Sequence, residues 1–112
     1  MDLPLNNIKS LDFLEKLNVP AITALILSAN PIEDLSLLEK YASPMWDLHY
    51  LKLTALPITD LGPLVTLAEA HPNPKEDMGI NISCCIRLDR EGDSPTVKDI
   101  ARLKELCAEF YD

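Results

Sequence analysis

The chain is short of several residue types, and each shortage argues against a class of protein. Only three of its 112 residues are glycine, and none stands in a phosphate-binding loop pattern. The two histidines, His49 and His71, have no metal-ligand spacing to cysteine or to each other. Cys84 and Cys85 are adjacent, so they do not form a CxxC motif. We therefore expect no metal, no cofactor, no catalytic residues and no enzyme activity.

Basic residues and long apolar runs are also scarce. Ten basic against eighteen acidic side chains give a formal charge of −8, which argues against direct nucleic-acid binding, since phosphate contacts need clustered Lys and Arg. No apolar stretch is long enough to span a membrane, and the first twenty residues show no signal-peptide pattern. An odd set of three cysteines fits free thiols in a reducing compartment. We expect a cytoplasmic protein whose partner is a basic protein, with no nucleic acid, membrane or small-molecule substrate.

A repeat is the strongest feature that the sequence does contain. Residues 22–38 and 48–64 are identical at eight of seventeen positions when the chain is displaced by 26 residues. The stretch "NPIEDLSLL" at 30–38 thereby matches "LPITDLGPL" at 56–64. Weaker copies lie before and after, at displacements of 24 and 29 residues, and are carried by Leu3, Asn6, Ile8, Leu11 and Leu14 on one side and by Ile80, Ile82 and Cys85 on the other.

Each copy changes from strand periodicity to helix periodicity. Leu25 and Leu27 alternate with Ile26, which is the period of a strand whose leucines face inward. Past residue 32 the apolar residues move to helical spacing, at 35 and 38 in one copy and at 61, 64, 67 and 68 in the next. No single unit can bury its own apolar face, so we expect the units to stack with strands on one side and helices on the other.

Polar residues stand just before each helical stretch. Asp34 and Asp60 occupy this place in the two clear copies, and Ser10 occupies it in the first. Their side-chain oxygens can accept an unpaired N–H of the first helical turn. Because the carboxylates recur at a fixed place in the repeat, we interpret them as N-caps rather than as catalytic groups.

Read from Ile22, the pattern is LxxLxLxxNxI, which resembles the leucine-rich-repeat family. Periods of 24, 26 and 29 residues lie in the range of that family, and the resemblance covers roughly residues 1–88. Leu56 stands where the family usually places Asn, which weakens the expectation of a regular turn there. The resemblance implies an α/β fold, a short leucine-rich-repeat solenoid with about four parallel strands on the concave side and helices on the convex side. We expect one domain over 1–112, with repeats at about 1–21, 22–47, 48–76 and 77–93 and a C-terminal capping helix at about 95–111.

Three stretches fall outside the repeat pattern. Ser94 and Pro95 are a typical N-cap and first helical residue for the C-terminal helix. Trp46 can pack on the convex side or anchor a partner, and its large apolar surface favours packing. The segment around Pro72 and Pro74 is predicted to be a loop.

The cysteine that follows the third predicted strand allows one catalytic hypothesis. Cys84 could act as a nucleophile oriented by His49, but a small structural thiol is the interpretation that we favour.

Leucine-rich-repeat proteins usually bind partners on the concave sheet face, so the resemblance implies a site at the outward strand positions. These positions are Asp2 and Pro4 in the first unit, Ala24, Ile26 and Ser28 in the second, Tyr50, Lys52 and Thr54 in the third, and Gly79, Asn81 and Ser83 in the fourth. Of these, the predicted partner-binding residues are Ile26, Ser28, Tyr50, Lys52, Thr54, Asn81 and Ser83. Four strands span only about 15 Å, which is small for a stable interface. We therefore add the acidic residues near the C-terminus, namely Asp89, Glu91, Asp93, Glu105 and Glu109.

Two functional classes are compatible with these features. The first is a non-catalytic inhibitor or immunity protein that binds and neutralises a basic toxin or enzyme such as a nuclease. The second is an adaptor or structural subunit of a larger complex that uses the same surface. The net negative charge favours the first class, because an acidic surface attracts a basic partner.

Overall fold

The computed structural model describes residues 7–17, 21–42 and 46–112. Within these residues the fold is α/β, with one parallel sheet of four strands in the order β1-β2-β3-β4. The strands are β1 (Ala24–Ile26), β2 (Tyr50–Lys52), β3 (Gly79–Asn81) and β4 (Glu109–Tyr111). The helices are α1 (Leu37–Tyr41), α2 (Gly62–Ala70), α3 (Pro74–Asp77) and α4 (Pro95–Leu106), and a 3₁₀ helix at Asp12–Lys16 precedes them. The predicted α/β class with parallel strands is confirmed.

The pairing of β1 with β2 follows the sequence repeat. The strands are parallel and displaced by 26 residues, so that Leu25 lies opposite Leu51. The ladder continues beyond the strands, where the Ala29 N–H donates to the Thr54 carbonyl at 2.9 Å. Similar side chains therefore stand beside one another along the sheet.

One face of the sheet supplies part of a single hydrophobic core. Leu25, Leu27, Leu51 and Leu53 are 0% exposed, whereas Ile26 on the opposite face is half-buried. Helix α1 packs against α2, and α2 packs against α4. Their contributions to the same core include Leu38, Leu64, Leu67, Ala68, Ile100 and Leu103. The predicted inward orientation of the leucines is confirmed.

The turns that follow β1, β2 and β3 share one backbone conformation. Ala29, Ala55 and Cys84 have φ values of 62°, 60° and 64°. This left-handed region is uncommon for residues other than glycine. The second turn keeps the conformation although Leu56 replaces the expected Asn, and Leu56 is buried at 2% exposure. The absence of Asn therefore does not make that turn irregular.

Two residues at the Asn position of the repeat tie their turns to the preceding unit. The Asn30 side chain accepts the Ile8 N–H at 3.1 Å through Oδ1 and donates to the Leu27 carbonyl at 2.9 Å through Nδ2. The Cys85 thiol donates to the Leu53 carbonyl at 3.1 Å. Buried polar groups need such partners, because an unpaired one costs about 1 to 3 kcal/mol.

The side chains predicted to cap helices all accept the N–H two residues further on. Asp34 Oδ1 accepts from Ser36 at 2.8 Å, Asp60 Oδ1 accepts from Gly62 at 2.8 Å, and Ser10 makes the same contact. Since α1 begins at residue 37, Asp34 closes the turn before that helix and is not its N-cap. Asp60 accepts the first N–H of α2, but Leu61 is the N-cap of that helix. Leu11 is the N-cap of the 3₁₀ helix, so Asp60 and Ser10 are not N-caps either. Hydrogen bonds from Ser36 lower the pKa of the Asp34 carboxyl.

The C-terminal helix is shorter than predicted. It begins as expected, with Ser94 Oγ accepting the Val97 N–H at 3.2 Å, but it ends at Leu106 instead of residue 111. The last residues form β4, in which Phe110 lies opposite Ile80 of β3. Phe110 is half-buried between two exposed neighbours, which is the period of a strand. Pairing with β4 also satisfies β3 backbone groups that would otherwise form an open edge.

The first predicted unit is only partly described. Asp2, Leu3, Pro4 and Asn6 lie outside the described residues. Further along, the buried Leu11 and Leu14 belong to that unit, but they lie on or beside a 3₁₀ helix rather than an α-helix.

The segment after α2 was predicted to be a loop and instead contains the four-residue helix α3. His71 is buried beside it and joins two elements: its Nδ1 accepts the Asn73 N–H at 3.0 Å, and its Nε2 lies 2.9 Å from the Leu48 carbonyl oxygen. A carbonyl can only accept, so Nε2 carries the proton and donates to it. His71 therefore has a structural role.

Trp46 lies inside the core. Its side chain is 2% exposed, and its indole Nε1 donates to the Ile22 carbonyl at 2.9 Å. The prediction that it packs is confirmed, and it is not an exposed anchor.

A buried thiol gives a prediction for stability at high pH. Burial raises the pKa of Cys107 to about 11, with nearby Lys75 acting in the opposite direction. In the unfolded chain the thiol ionises near its ordinary value of 9.0. The free energy of unfolding should therefore be unaffected by this group below pH 9, and should fall by roughly 2 kcal/mol as the pH rises from 9 to 11.

Urea unfolding at pH 8, 9.5 and 11 checks this expectation. Tyrosines and lysines also titrate in the window, so the informative quantity is the difference from Cys107→Ala, which should lose less stability over the same range. Burial also raises the pKa of Cys85, so the variant should keep part of the dependence. Parallel pH profiles for the two proteins would contradict the prediction.

Candidate protein-binding site

The face of the sheet opposite the core carries the predicted strand residues. We call it the outer sheet face, and its register is Tyr50–Gly79–Glu109 in one row and Ile26–Lys52–Asn81–Tyr111 in the next. Ile26, Tyr50, Lys52 and Asn81 are half-buried there, as their alternation predicted. Strand β4 adds Glu109 and Tyr111, and Tyr111 is 49% exposed.

The predicted residues at the C-terminal ends of the strands are partly used by the fold itself. Thr54 Oγ1 donates to Ser28 Oγ at 2.6 Å, and Asn81 Oδ1 accepts the Ser83 N–H at 2.9 Å. These contacts hold the turns in register. The side chains better placed to contact a partner are therefore those at the other end of the face, around Tyr50 and Lys52.

The predicted acidic residues do not form one surface. Asp89, Glu91 and Asp93 lie in the loop before α4, whereas Glu105 lies at its C-terminal end and Glu109 opens β4. A helix of 12 residues is about 18 Å long, which separates the two groups. The second group lies at the edge of the sheet where the parallel strands begin.

A concavity occurs at that edge, beside the first residues of β2, β3 and β4. Its volume is about 290 Å³. It is lined by His49, Tyr50, Glu76, Asp77, Met78, Gly79, Ala108 and Glu109, and we call it the acidic concavity.

Gly79 allows the Tyr50 ring to lie close against the sheet at this point. It stands between Tyr50 and Glu109 in the row, and it has no side chain to fill the gap. A Cβ at this position would lie 3.2 Å from Tyr50 Cδ1 and 3.8 Å from Glu109 Cβ. The Tyr50 ring thus forms one wall, and the Glu109 side chain forms the other.

The carboxylates of the acidic concavity have no cationic partner in the described part of the chain. Glu76 accepts a hydrogen bond from the Asn73 amide at 3.0 Å, and Glu109 is 3.4 Å from the Tyr111 hydroxyl. No described ion pair includes either of them or Asp77. Three negative charges are thus concentrated around a cavity that has an aromatic wall.

Other charged groups at this edge do have partners. Glu105 is 3.5 Å from Arg102, and its backbone carbonyl accepts from the Lys75 ammonium at 3.1 Å. His49 Nε2 lies 3.2 Å from Asp47 Oδ1. Lys75 thus occupies the C-terminal end of α4, where a cation interacts favourably with the helix dipole.

A second concavity of about 240 Å³ lies at the opposite edge of the sheet. Pro57, Leu56, Cys84 and Ile86 are among its lining residues, and Ile86 is 89% exposed. Cys84 is an exposed free thiol that follows β3, whereas His49 precedes β2. The two strands are parallel, so these residues lie at opposite ends and do not form a nucleophile–base pair.

The predicted partner-binding residues include two that line the acidic concavity, Tyr50 and Glu109, and omit its other carboxylates, Glu76 and Asp77, as well as Tyr111 of the next row. The sequence predicts a loop at Glu76 and Asp77 and the end of a helix at Tyr111. The available signals were two adjacent carboxylates directly before a strand and an exposed–apolar–exposed alternation in the last residues.

Comparison of the chain with protein-family models, curated proteins and solved structures gives no significant match. Over residues 7–17, 21–42 and 46–112, no helix has the length and apolar character needed to cross a bilayer. The same residues contain no group of three or more His, Cys, Asp or Glu side chains arranged to hold a metal ion.

Proposed function

We propose that this chain is a non-catalytic protein-binding module whose outer sheet face binds a basic protein. The observation that carries the proposal is the acidic concavity, where Glu76, Asp77 and Glu109 lie without a described ion pair beside Tyr50. Unpaired charge at an accessible surface attracts an oppositely charged partner and accelerates its association. The formal charge of −8 acts in the same direction.

We further propose that the module is a short leucine-rich-repeat solenoid with the outer sheet face on its concave side. Support comes from the 26-residue displacement between β1 and β2 and from the left-handed turn that recurs after three strands. The contacts of Asn30 with the preceding unit are a further similarity to the repeat pattern. Proteins of this architecture offer an extended surface built from repeated strands.

The function that fits best is that of a cytoplasmic inhibitor or immunity protein that neutralises a basic toxin or enzyme such as a nuclease. An inhibitor needs only a complementary surface, so it requires no catalytic group of its own. The acidic concavity would contact basic residues with which the enzyme binds a negatively charged substrate.

An adaptor or structural subunit is the second candidate, and one observation favours it. Ile86 is 89% exposed beside Pro57 and Leu56, at the edge opposite the acidic concavity. Exposed apolar residues of this kind can form part of an interface. Two contact surfaces at opposite edges would suit a protein that joins two others.

A comparative capture experiment tests the proposal. The wild type is immobilised beside Tyr50→Ala/Tyr111→Ala, Ile86→Ala and the helix-surface control Thr66→Ala, with folding checked by thermal melts. A basic protein should be retained by the wild type, Ile86→Ala and Thr66→Ala and lost with the double tyrosine variant. Once purified, that protein should lose its activity when the chain is added.

Two results would count against the inhibitor. An acidic partner would contradict the charge argument. A partner lost only with Ile86→Ala would assign binding to the opposite edge and support the adaptor instead.

A further inference from the structure

We propose that the acidic concavity receives a single arginine side chain from the partner protein, with the guanidinium against the Tyr50 ring and its N–H groups directed to Glu76, Asp77 and Glu109. This inference rests on the proposed function, because it specifies the chemistry by which the outer sheet face recognises a basic protein.

The size of the cavity favours one side chain over a small molecule. Its volume of about 290 Å³ is at the lower limit of the roughly 300 to 1,000 Å³ that is usual for small-ligand pockets. It is also open to the sheet face, where Tyr111 and Lys52 of the next row lie beside it. A partner that covers this face can therefore extend one long side chain into the concavity.

The walls of the cavity suit a planar cation. Adjacent strands are about 4.8 Å apart, so Tyr50 and Glu109, two strands apart, have about 10 Å between their backbones. Gly79 adds no side chain between them, but the position its Cβ would take lies 3.2 Å from Tyr50 Cδ1 and 3.8 Å from Glu109 Cβ, so the opening between the ring and Glu109 is narrow. A cation close to an aromatic face is attracted by the ring, and arginine is the side chain most often found there.

The carboxylates determine the preference for arginine over lysine. A guanidinium presents five N–H donors in a fixed fork, and carboxylates accept such donors in pairs. The acidic residues that line this cavity come from two elements, Glu76 and Asp77 from α3 and Glu109 from β4. A compact ammonium group could not contact both sides and the ring at once. Charge complementarity is therefore combined with a shape that fits a flat group.

An NMR titration tests the inference with a defined probe. The peptide acetyl-Gly-Arg-Gly-amide is added to the ¹⁵N-labelled full chain, and the same peptide with citrulline or lysine in the central position is added in parallel. Citrulline keeps the shape of arginine and lacks its charge. The arginine peptide should give saturable shifts confined to residues 49–50, 76–79 and 108–109, and the citrulline peptide should not.

Two matched double variants identify the groups responsible. Glu76→Gln/Asp77→Asn should weaken binding of the arginine peptide by about tenfold or more, because charge-assisted hydrogen bonds are lost. Asp12→Asn/Glu39→Gln makes the same charge change at exposed positions on the 3₁₀ helix and α1, and should leave the affinity within about twofold. Gly79→Ala reduces the space without changing the charge and should also weaken binding.

Several outcomes would overturn the inference. Equal shift changes with the arginine and citrulline peptides would exclude recognition of the charge. Equal shift changes with the arginine and lysine peptides would exclude recognition of the planar guanidinium. Shifts that spread over the surface without saturating would indicate non-specific attraction.

Failure of this inference is distinguishable from failure of the proposed function. If a basic partner is lost with Tyr50→Ala/Tyr111→Ala but the arginine peptide does not bind, the inference fails and the proposed function stands. If the peptide binds at the concavity but no partner depends on the outer sheet face, the proposed function fails, and only the preference of the concavity for an arginine side chain is retained.

Discussion

Replacing Leu53 by alanine is expected to lower the free energy of unfolding by about 2 to 5 kcal/mol, which is the usual cost of a Leu→Ala cavity in a packed core. Leu53 is 0% exposed, and both its N–H and its carbonyl are hydrogen-bonded to the unit that contains β3. Its N–H donates to the Asn81 carbonyl at 2.8 Å, and its carbonyl accepts the Cys85 thiol at 3.1 Å. These two bonds to the β3 unit therefore restrict the collapse of the cavity.

The matched variant Asp60→Ala should lose much less stability. Asp60 is exposed, and its contribution to the start of α2 is the hydrogen bond that its Oδ1 accepts from the Gly62 N–H at 2.8 Å. Removal of such a contact costs about 0.5 to 1 kcal/mol.

Urea unfolding of the wild type and both variants measures the two losses. Since a domain of this size has only about 5 to 15 kcal/mol of total stability, Leu53→Ala should shift the midpoint far more than Asp60→Ala. Equal losses would mean that either the core position of Leu53 or the contact of Asp60 at the start of α2 is wrongly assigned.

The sequence repeat made the strand register and the core residues of the fold predictable. Register between β1 and β2 followed from the identity of residues 26 apart, because a slip of one residue would turn Leu25 and Leu27 away from the core. The burial of Trp46 followed from its large apolar surface, although nothing in the sequence indicated that Ile22 accepts its N–H. Periodicity and residue size thus determined the core.

Other features depended on tertiary contacts that local patterns do not contain. Residues 95–111 carry an apolar stripe with helical spacing, yet the chain ends as β4 because Phe110 can pair beside Ile80 on the open side of β3. Three residues are too few for periodicity to decide between a strand and a helix. The 3₁₀ helix at Asp12–Lys16 has five residues and α3 has four, so they are also too short for periodicity to predict them.

The candidate site was predictable at the level of a face but not of a cavity. Alternation identified Tyr50 and Lys52 as outward residues. The acidic concavity arises because α3 and the start of β4 meet at one edge, which brings Glu76 and Glu109 together although they are 33 positions apart in the chain. Asp93 was grouped with Glu109 from sequence, but the length of α4 separates them.

Association with the basic partner should slow strongly with salt, and this is the largest effect expected for function. Electrostatic steering raises association rates by about 10 to 1,000 fold and is screened as the Debye length falls from about 30 Å at 0.01 M salt to about 8 Å at 0.15 M. The association rate constant should therefore fall by about tenfold or more over this range, while the dissociation rate constant changes less.

Charge reversal at the two ends of α4 distinguishes which acidic group faces the partner. Glu105→Lys/Glu109→Lys should slow association further, because Glu109 lines the acidic concavity and Glu105 lies at the same edge. Glu91→Lys/Asp93→Lys makes the same change in net charge beyond the other end of α4. If steering is centred on the acidic concavity, the second pair should slow association less than the first.

Truncation of Tyr50, the aromatic wall of the acidic concavity, should change the dissociation rate constant rather than the association rate constant. Tyr50→Ala is expected to raise the dissociation rate constant by about tenfold or more and to change association little, since loss of a packed aromatic anchor weakens the formed complex rather than the encounter. Surface plasmon resonance at several salt concentrations measures both constants for every variant. An association rate constant that is independent of salt, or a partner that is itself acidic, would remove the inhibitor and leave the adaptor, whose interface need not depend on charge.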